Sequence, residues 1–316
     1  LYLMRFNKPK FWDNNYYLIP YLLLPITLLI SLLIFLKKKF TKPIKFNSFV
    51  ICVGNIYVGG TGKTPTSILL YNELLKLKKN PVIIRKFYKD HNDEYNLINK
   101  SVNCLIHNQS RLNAIRDAEK KNHNPVILDD GFQDYKINKD LSIICFNQNQ
   151  LVGNGLTLPS GPLRESLNSL KEAHIVLING KKNFEFEKKI LKINPKLNIF
   201  YSEYIPNNIN EFINKKLLAI AGIGNPNNFF DLLEKNDLTI AKKIVYPDHH
   251  EFSEEEINSI SKLAEENNYQ IILTEKDFYK IKNPDNKTFK YLDITLEIAE
   301  KQKLINLVLK AYDKNY

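Results

Sequence analysis

Gly54–Ser67 reads GNIYVGGTGKTPTS, and the residues before it, Asn47–Val53, read NSFVICV. The first run is apolar without alternation, the pattern of a strand buried on both faces of a parallel sheet. Beyond the glycines, Ile68 to Leu77 is apolar at helical spacing. Strand, glycine loop, Gly-Lys-Thr and helix together form the context that a nucleotide phosphate loop needs. Gly59, Gly60 and Gly62 let the backbone curl so that its N–H groups, that of Thr61 among them, face phosphate oxygens. The helix N-terminus adds its dipole. Lys63 is placed to reach the β- and γ-phosphates of a nucleotide, and the Thr64 hydroxyl to bind Mg²⁺. Pro65 fits the first helical turn, where its missing N–H costs nothing. The strict form of the motif has glycine at position 57; here it is Tyr57, and the loop carries a doubled glycine instead.

A second segment fits the first. Asn124–Asp130 reads NPVILDD, an apolar strand ending in two carboxylates. An acid at a strand end holds the magnesium shell in phosphate-loop sites, so Asp129 and Asp130 are the candidates. The plainer reading is a strand-end turn, since Asp-Gly is common there. A GTPase is disfavoured: no N-K-x-D signature exists, Thr274–Asp277 being TEKD, and a D-x-x-G switch would need an acid at Leu128. A partitioning-type ATPase would carry lysine at Val58. These segments predict an α/β fold, a P-loop NTPase-like parallel sheet with a second, smaller α/β lobe.

The composition agrees. The 316 residues are 44% hydrophobic and 25% charged, a globular mix with room for two domains. Glycine is scarce at 11, and arginine scarcer: Arg5, Arg85, Arg111, Arg116 and Arg164 are the five among 45 Lys+Arg. In a chain that uses lysine by default, a retained arginine or glycine is the one to watch. The net charge of +11 reads first as lysine spread over a solvated surface, and second as attraction to an anionic partner. Neither an Arg-rich patch nor an aromatic platform supports nucleic acid. Three cysteines without C-x-x-C spacing argue against zinc or a disulfide framework and for a reducing compartment.

Tyr16–Leu36, YYLIPYLLLPITLLISLLIFL, carries no charge. Its length predicts a membrane-spanning N-terminal helix, kinked at Pro20 and Pro25. Trp12, Tyr16 and Tyr17 suit an interfacial belt at one end. Lys37, Lys38, Lys39, Lys42 and Lys45 follow the other end and place the body of the protein in the cytoplasm. A cleaved signal peptide is disfavoured, because the run is long and no small-residue cleavage site follows. Met4, or Leu1 through a non-standard codon, is the expected start.

Several segments together resemble one family, the tetraacyldisaccharide 4′-kinases of lipid A synthesis. The phosphate loop (Val53–Pro65), ILDDGFQ (Ile127–Gln133), GNGLTLPSGPLRE (Gly153–Glu165), AIAGIGNPNNFF (Ala219–Phe230), YPDHHEFS (Tyr246–Ser253) and LTEKD (Leu273–Asp277) occur in that family's order. The resemblance implies transfer of the γ-phosphoryl of MgATP to the 4′-hydroxyl of tetraacyldisaccharide 1-phosphate, a lipid of the bacterial inner membrane. It implies two lobes closing over ATP and no obligate protein partner. Residue by residue, it implies that Lys63 and Thr64 hold phosphates and magnesium, and that Asp129 and Asp130 are the magnesium-side acids. Asp93 is the implied base, His249 its partner, and Arg164 with Glu165 an active-site pair. Tyr88 is the one residue kept from the family's S-R-G-Y stretch, which here reads Arg85-Lys86-Phe87-Tyr88, and the family's D-D-G-L-Q-H ends here in Asp134.

The charged run after Gly180 marks a lobe boundary, giving an anchor over 1–45, a phosphate-loop lobe over 46–182 and a second lobe over 183–316, whose last helix could pack back on the first lobe. Ser253 and Glu256 form a capping box. Gly222 and Gly224 read as a tight turn. The rival function is a membrane-tethered ATPase switch that binds a partner protein.

Overall fold

The structure, a computed structural model, describes residues 9–13, 17–88, 92–248, 250–281, 284, 285 and 287–314. It divides into two compact units. The larger comprises Lys8–Phe87, Val102–Glu203 and Leu296–Tyr316; the smaller comprises Tyr88–Ser101 and Tyr204–Thr295.

In the larger unit, α1 (Ile19–Leu22) and α2 (Leu24–Phe40) precede β1 (Val50–Gly54), α3 (Lys63–Lys76) and β2 (Val82–Lys86). The chain leaves for α4 (Asn92–Ser101) of the smaller unit and returns as β3 (Leu105–Asn108), α5 (Arg111–Lys120), β4 (Val126–Asp129) and β5 (Leu141–Asn147). β6 (Ile175–Asn179), α6 (Phe184–Ile193) and β7 (Asn198–Pro206) follow. The smaller unit then holds β8 (Lys216–Ala221), α7 (Pro226–Lys235), β9 (Thr239–Val245), α8 (Glu254–Asn267), β10 (Gln270–Thr274), α9 (Glu275–Phe278) and β11 (Phe289–Leu292). β12 (Ile294–Ile298) leads into α10 (Lys301–Asp313) of the larger unit.

The larger sheet runs β12-β7-β6-β5-β1-β4-β2-β3. Its strands from β3 to β7 pair in parallel. The apolar run read from the sequence is the central strand: all five residues of β1 are buried, with β4 on one side and β5 on the other. The register Val53↔Asp129 puts the end of β1 beside the carboxylates that end β4. α3 buries Ser67, Leu70, Tyr71 and Leu74, residues three and four apart on one face. α10 packs on this unit through Tyr312, whose ring meets Phe49 edge-on at 5.5 Å and whose hydroxyl accepts from Asn124 at 3.0 Å.

The smaller sheet, β11-β10-β8-β9, is parallel throughout. The expected capping box on Ser253 and Glu256 opens α8. The Gly222 turn is pinned by the buried Asp277, which accepts from the Gly222 N–H at 2.7 Å and pairs with Lys280 Nζ at 2.6 Å. Lys100 fixes α4 within the same unit, donating to Glu275 Oε1 and to the Tyr291 hydroxyl at 2.8 Å each.

The N-terminal span is corrected. Among the described residues, no helix is long and apolar enough to cross a membrane. Leu23 separates α1 from α2, and Pro25, with no N–H to donate to the preceding turn, begins a new helix instead of bending a continuous one. α2 has 17 residues, about 26 Å at 1.5 Å per residue, against a bilayer core of about 30 Å. One face of α2 serves the protein. Thr27 is buried and lies 2.7 Å, oxygen to oxygen, from the Ser160 hydroxyl. Ser31 sits 3.1 Å from the Thr157 hydroxyl, and Lys38 pairs with Glu172 at 2.7 Å. These residues, four and seven apart, share one helical face. Trp12 belongs to this packed segment, its indole N–H donating to the Pro159 carbonyl at 3.0 Å. Tyr16 lies outside the described residues. The other side of the segment exposes Leu18, Leu22, Ile26, Leu29, Leu33 and Phe40.

The end of β1 tolerates little change. A Cβ added at Gly54 would lie 2.5 Å from Cβ of Phe132. Gly54→Ala is expected to cost about 1–3 kcal/mol of stability through overpacking, read from the urea midpoint. An unchanged midpoint would contradict this packing.

Candidate active site

Between β1 and α3 the chain makes the loop the glycines predicted. Gly62 caps α3 at φ 88°, the left-handed region, so the loop can turn into the helix without the strain a side chain would bring. Asn55 ties the loop from within: its amide donates to the Gly59 carbonyl at 3.2 Å and to the Thr61 hydroxyl at 3.0 Å. Tyr57, the departure from the strict motif, is buried and bridges to Leu163. Val58 N–H donates to the Pro162 carbonyl at 2.9 Å, and Arg164 N–H to the Ile56 carbonyl at 2.7 Å. The stretch 56–58 therefore pairs with 162–164, and the phosphate loop and Arg164 are held as one piece.

Asp129 is fully buried. It accepts from the Thr64 hydroxyl at 3.1 Å on one oxygen and from the Ser67 hydroxyl at 3.1 Å on the other. Arg85, itself buried, donates through Nη1 to the same oxygen as Thr64 and lies 3.3 Å from the Thr64 hydroxyl. Asp130 follows at φ 57°, which turns its carboxylate to a different set. Arg164 Nη1 donates to it at 2.9 Å, and Lys63 Nζ stands 3.8 Å away. Arg111 braces the turn from behind, donating to the Asp130 carbonyl at 2.6 Å. Burial works to raise the Asp130 pKa. Lys63, then Arg164 and Arg85, overcome it and hold the carboxyl at about 2, below its ordinary 3.8.

The sequence-predicted loop residues and Lys63, Thr64, Asp129, Asp130 and Arg164 thus meet within one unit. Glu165 turns away from Asp130. It is buried, interacts with Gln133 and Tyr135, and has Lys38 of α2 at 3.8 Å. Burial pushes its carboxyl above the ordinary range, with Lys38 opposing. Gln133 joins the two groups, accepting from Arg164 at 3.4 Å. Tyr88 belongs to the smaller unit, where its N–H donates to the Tyr95 hydroxyl at 2.6 Å. Asp93 falls in α4, its side chain outside the described residues, and His249 lies outside them. Its neighbour His250 stacks on Tyr246 at 4.5 Å and lies 3.0 Å from Glu256.

Asn55, Ser67, Arg85, Arg111 and Gln133 were not expected in the site. The scarcity of arginine was the available signal: three of the five surround the two carboxylates. No group of three or more His, Cys, Asp or Glu side chains placed to hold a metal occurs among the described residues. A hydroxyl and a carboxylate facing one position are instead the small set of hard oxygen donors with which proteins hold Mg²⁺ beside a substrate's phosphates.

The profile of the tetraacyldisaccharide-1-P 4′-kinase family matches residues 19–313. The chain belongs to that family. The tetraacyldisaccharide 4′-kinase of Pelagibacter ubique is 39% identical, with 99% of this chain and 100% of that protein covered. That of Rickettsia bellii is 32% identical, with 98% and 99% covered. The crystal structure of LpxK from Aquifex aeolicus, described as in complex with ATP, superposes with a TM-score of 0.68 at 22% identity. It covers 93% of this chain and 99% of its own, and supports the fold.

The electrostatics of Asp130 can be tested. Because its pKa is depressed on folding, its pairing stabilises the protein in full above about pH 4 and is lost as the pH falls through about 2. Arg164→Met is expected to move the Asp130 titration up toward 3.8, followed by carboxyl ¹³C NMR. A titration that stays put would show that Arg164 is not a main partner.

Proposed function

We propose that the chain is an ATP-dependent kinase that transfers the γ-phosphoryl group of MgATP to the 4′-hydroxyl of tetraacyldisaccharide 1-phosphate. The observation that carries the reading is the convergence of Lys63, Thr64, Asp129, Asp130 and Arg164 at the N-terminus of α3, in a chain of this family. The N–H groups of Gly59, Gly60, Thr61 and Gly62 cradle the phosphates, and Lys63 moves from Asp130 to the β- and γ-oxygens. Thr64 and Asp129, with Asp130 behind them, would hold Mg²⁺, which when bound neutralises charge developing on the transferring phosphoryl. Arg164 presents a planar fork suited to phosphate. Asp93 acts as the base for the sugar hydroxyl with His249 as its partner, a contribution of about 10²–10⁴-fold. Tyr88 contributes to nucleotide binding. Glu165 acts through Gln133, setting where Arg164 stands.

The lipid acceptor requires a membrane surface. The exposed apolar side of α1 and α2, with Lys37 and Lys39 at its end, has the make-up of a helix lying in a bilayer interface. We infer that the protein docks on the inner membrane by this face, with its catalytic units in the cytoplasm. A partner-binding ATPase switch has no observation in its favour.

Incubation of the protein with γ-labelled ATP and the acceptor in membranes is expected to give a chloroform-soluble labelled product only when the acceptor is present. Release of free phosphate alone would refute the kinase. Lys63→Ala should abolish nucleotide binding, whereas Asp93→Ala should retain it and lose at least about a hundredfold in turnover. Near-normal turnover of Asp93→Ala would remove it from the base role. Leu29→Glu with Leu33→Glu should prevent flotation with anionic vesicles while leaving ATP binding intact; unaltered flotation would place the docking face elsewhere.

A further inference from the structure

We propose that Arg85 is a built-in counter-cation of the magnesium position, so that a divalent ion enters between Thr64 and Asp129 only as the Arg85 guanidinium leaves. The proposal rests on the assignment of Thr64 and Asp129 to the metal, and adds a residue that the family resemblance did not assign. Arg85 Nη1 is bonded to the oxygen of Asp129 that also accepts from Thr64, and it lies 3.3 Å from the Thr64 hydroxyl. One cation thus already touches both oxygens a metal would use. Those oxygens are 3.1 Å apart, close to the edge of an octahedron with bonds of about 2.0–2.1 Å, so they suit Mg²⁺ once the guanidinium has moved.

Two cations cannot share this place. Arg85 is 5% exposed and Asp129 fully buried, and repulsion between like charges is strong where water screens little. The other oxygen of Asp129 is taken by Ser67. The backbone cannot relieve the crowding, because β2 is paired on both sides and its register sets Arg85 opposite Asp129. Exchange therefore requires rotation of the Arg85 side chain. A second acid stands ready: Asp130, already in the field of Arg85, loses Lys63 when that ammonium turns to phosphate. The sequence of events that follows is that the nucleotide draws Lys63 away, Asp130 receives Arg85, and the metal arrives with the nucleotide rather than before it.

The test uses the full chain without nucleotide or lipid, with Mn²⁺ as the probe and its EPR signal as the readout. The wild type is expected to bind Mn²⁺ weakly. Arg85→Met should bind it about tenfold to a hundredfold more tightly, the scale of one charge-assisted hydrogen bond removed from competition. Arg85→Lys keeps a cation but loses the planar fork, and should fall between them. It also keeps the test decisive if Arg85→Met does not fold, which thermal unfolding shows. Equal Mn²⁺ affinity in the wild type and the folded variants overturns the proposal, as does tight binding by the wild type. Since neither ATP nor acceptor is present, this outcome is separate from that of the acceptor-dependent kinase assay.

Discussion

Two adjacent carboxylates at the end of β4, one of them fully buried, need cations and donors beside them, and much of the larger unit is arranged to supply these. Asp129 faces the buried side and is held by Arg85, Thr64 and Ser67. Asp130, at positive φ, faces the loop and is held by Lys63 and Arg164. Removing one partner of a buried pair typically costs about 3–5 kcal/mol, so Arg85, buried against Asp129, is needed for the structure itself. The same charges make the site ready for a polyanion: phosphates can take over Lys63 and Arg164.

The constraint reaches outward along one continuous segment. Residues 153–165 carry Arg164 at one end and are grasped along their length by the N-terminal segment, through Trp12, Thr27 and Ser31. Lys38, at the last turn of α2, closes on Glu165 and Glu172. A helix whose outer face is apolar therefore has its inner face bonded to the loop that carries Arg164. If the protein docks by that face as proposed, the membrane contact and the geometry at Asp130 are joined through one hydrogen-bonded segment.

The phosphate loop and the strand-end acids were legible because each is a local pattern whose chemistry depends on neighbours in sequence. The place of Arg85 beside Asp129 was not, because it depends on the register of β2 against β4, which brings together residues 44 apart. The N-terminal segment misled for a related reason. Hydropathy counts Thr27 and Ser31 as small interruptions of an apolar run, whereas their spacing is that of a face bonded to Ser160 and Thr157. Tyr57 likewise reads as a defect in a motif until Leu163 is found beside it. In the smaller unit, TEKD excluded a GTPase and matched a family motif without giving Asp277 a place, yet Asp277 is the buried anchor of the Gly222 turn.

The most direct measurement is a crystal structure with Mg²⁺ and a non-hydrolysable ATP analogue. The account predicts the β- and γ-phosphates on the 59–63 amides, Lys63 released from Asp130 onto them, and the metal between Thr64 and Asp129 with Arg85 displaced. A nucleotide bound elsewhere, or one bound at the loop while Lys63 remains on Asp130, would contradict it.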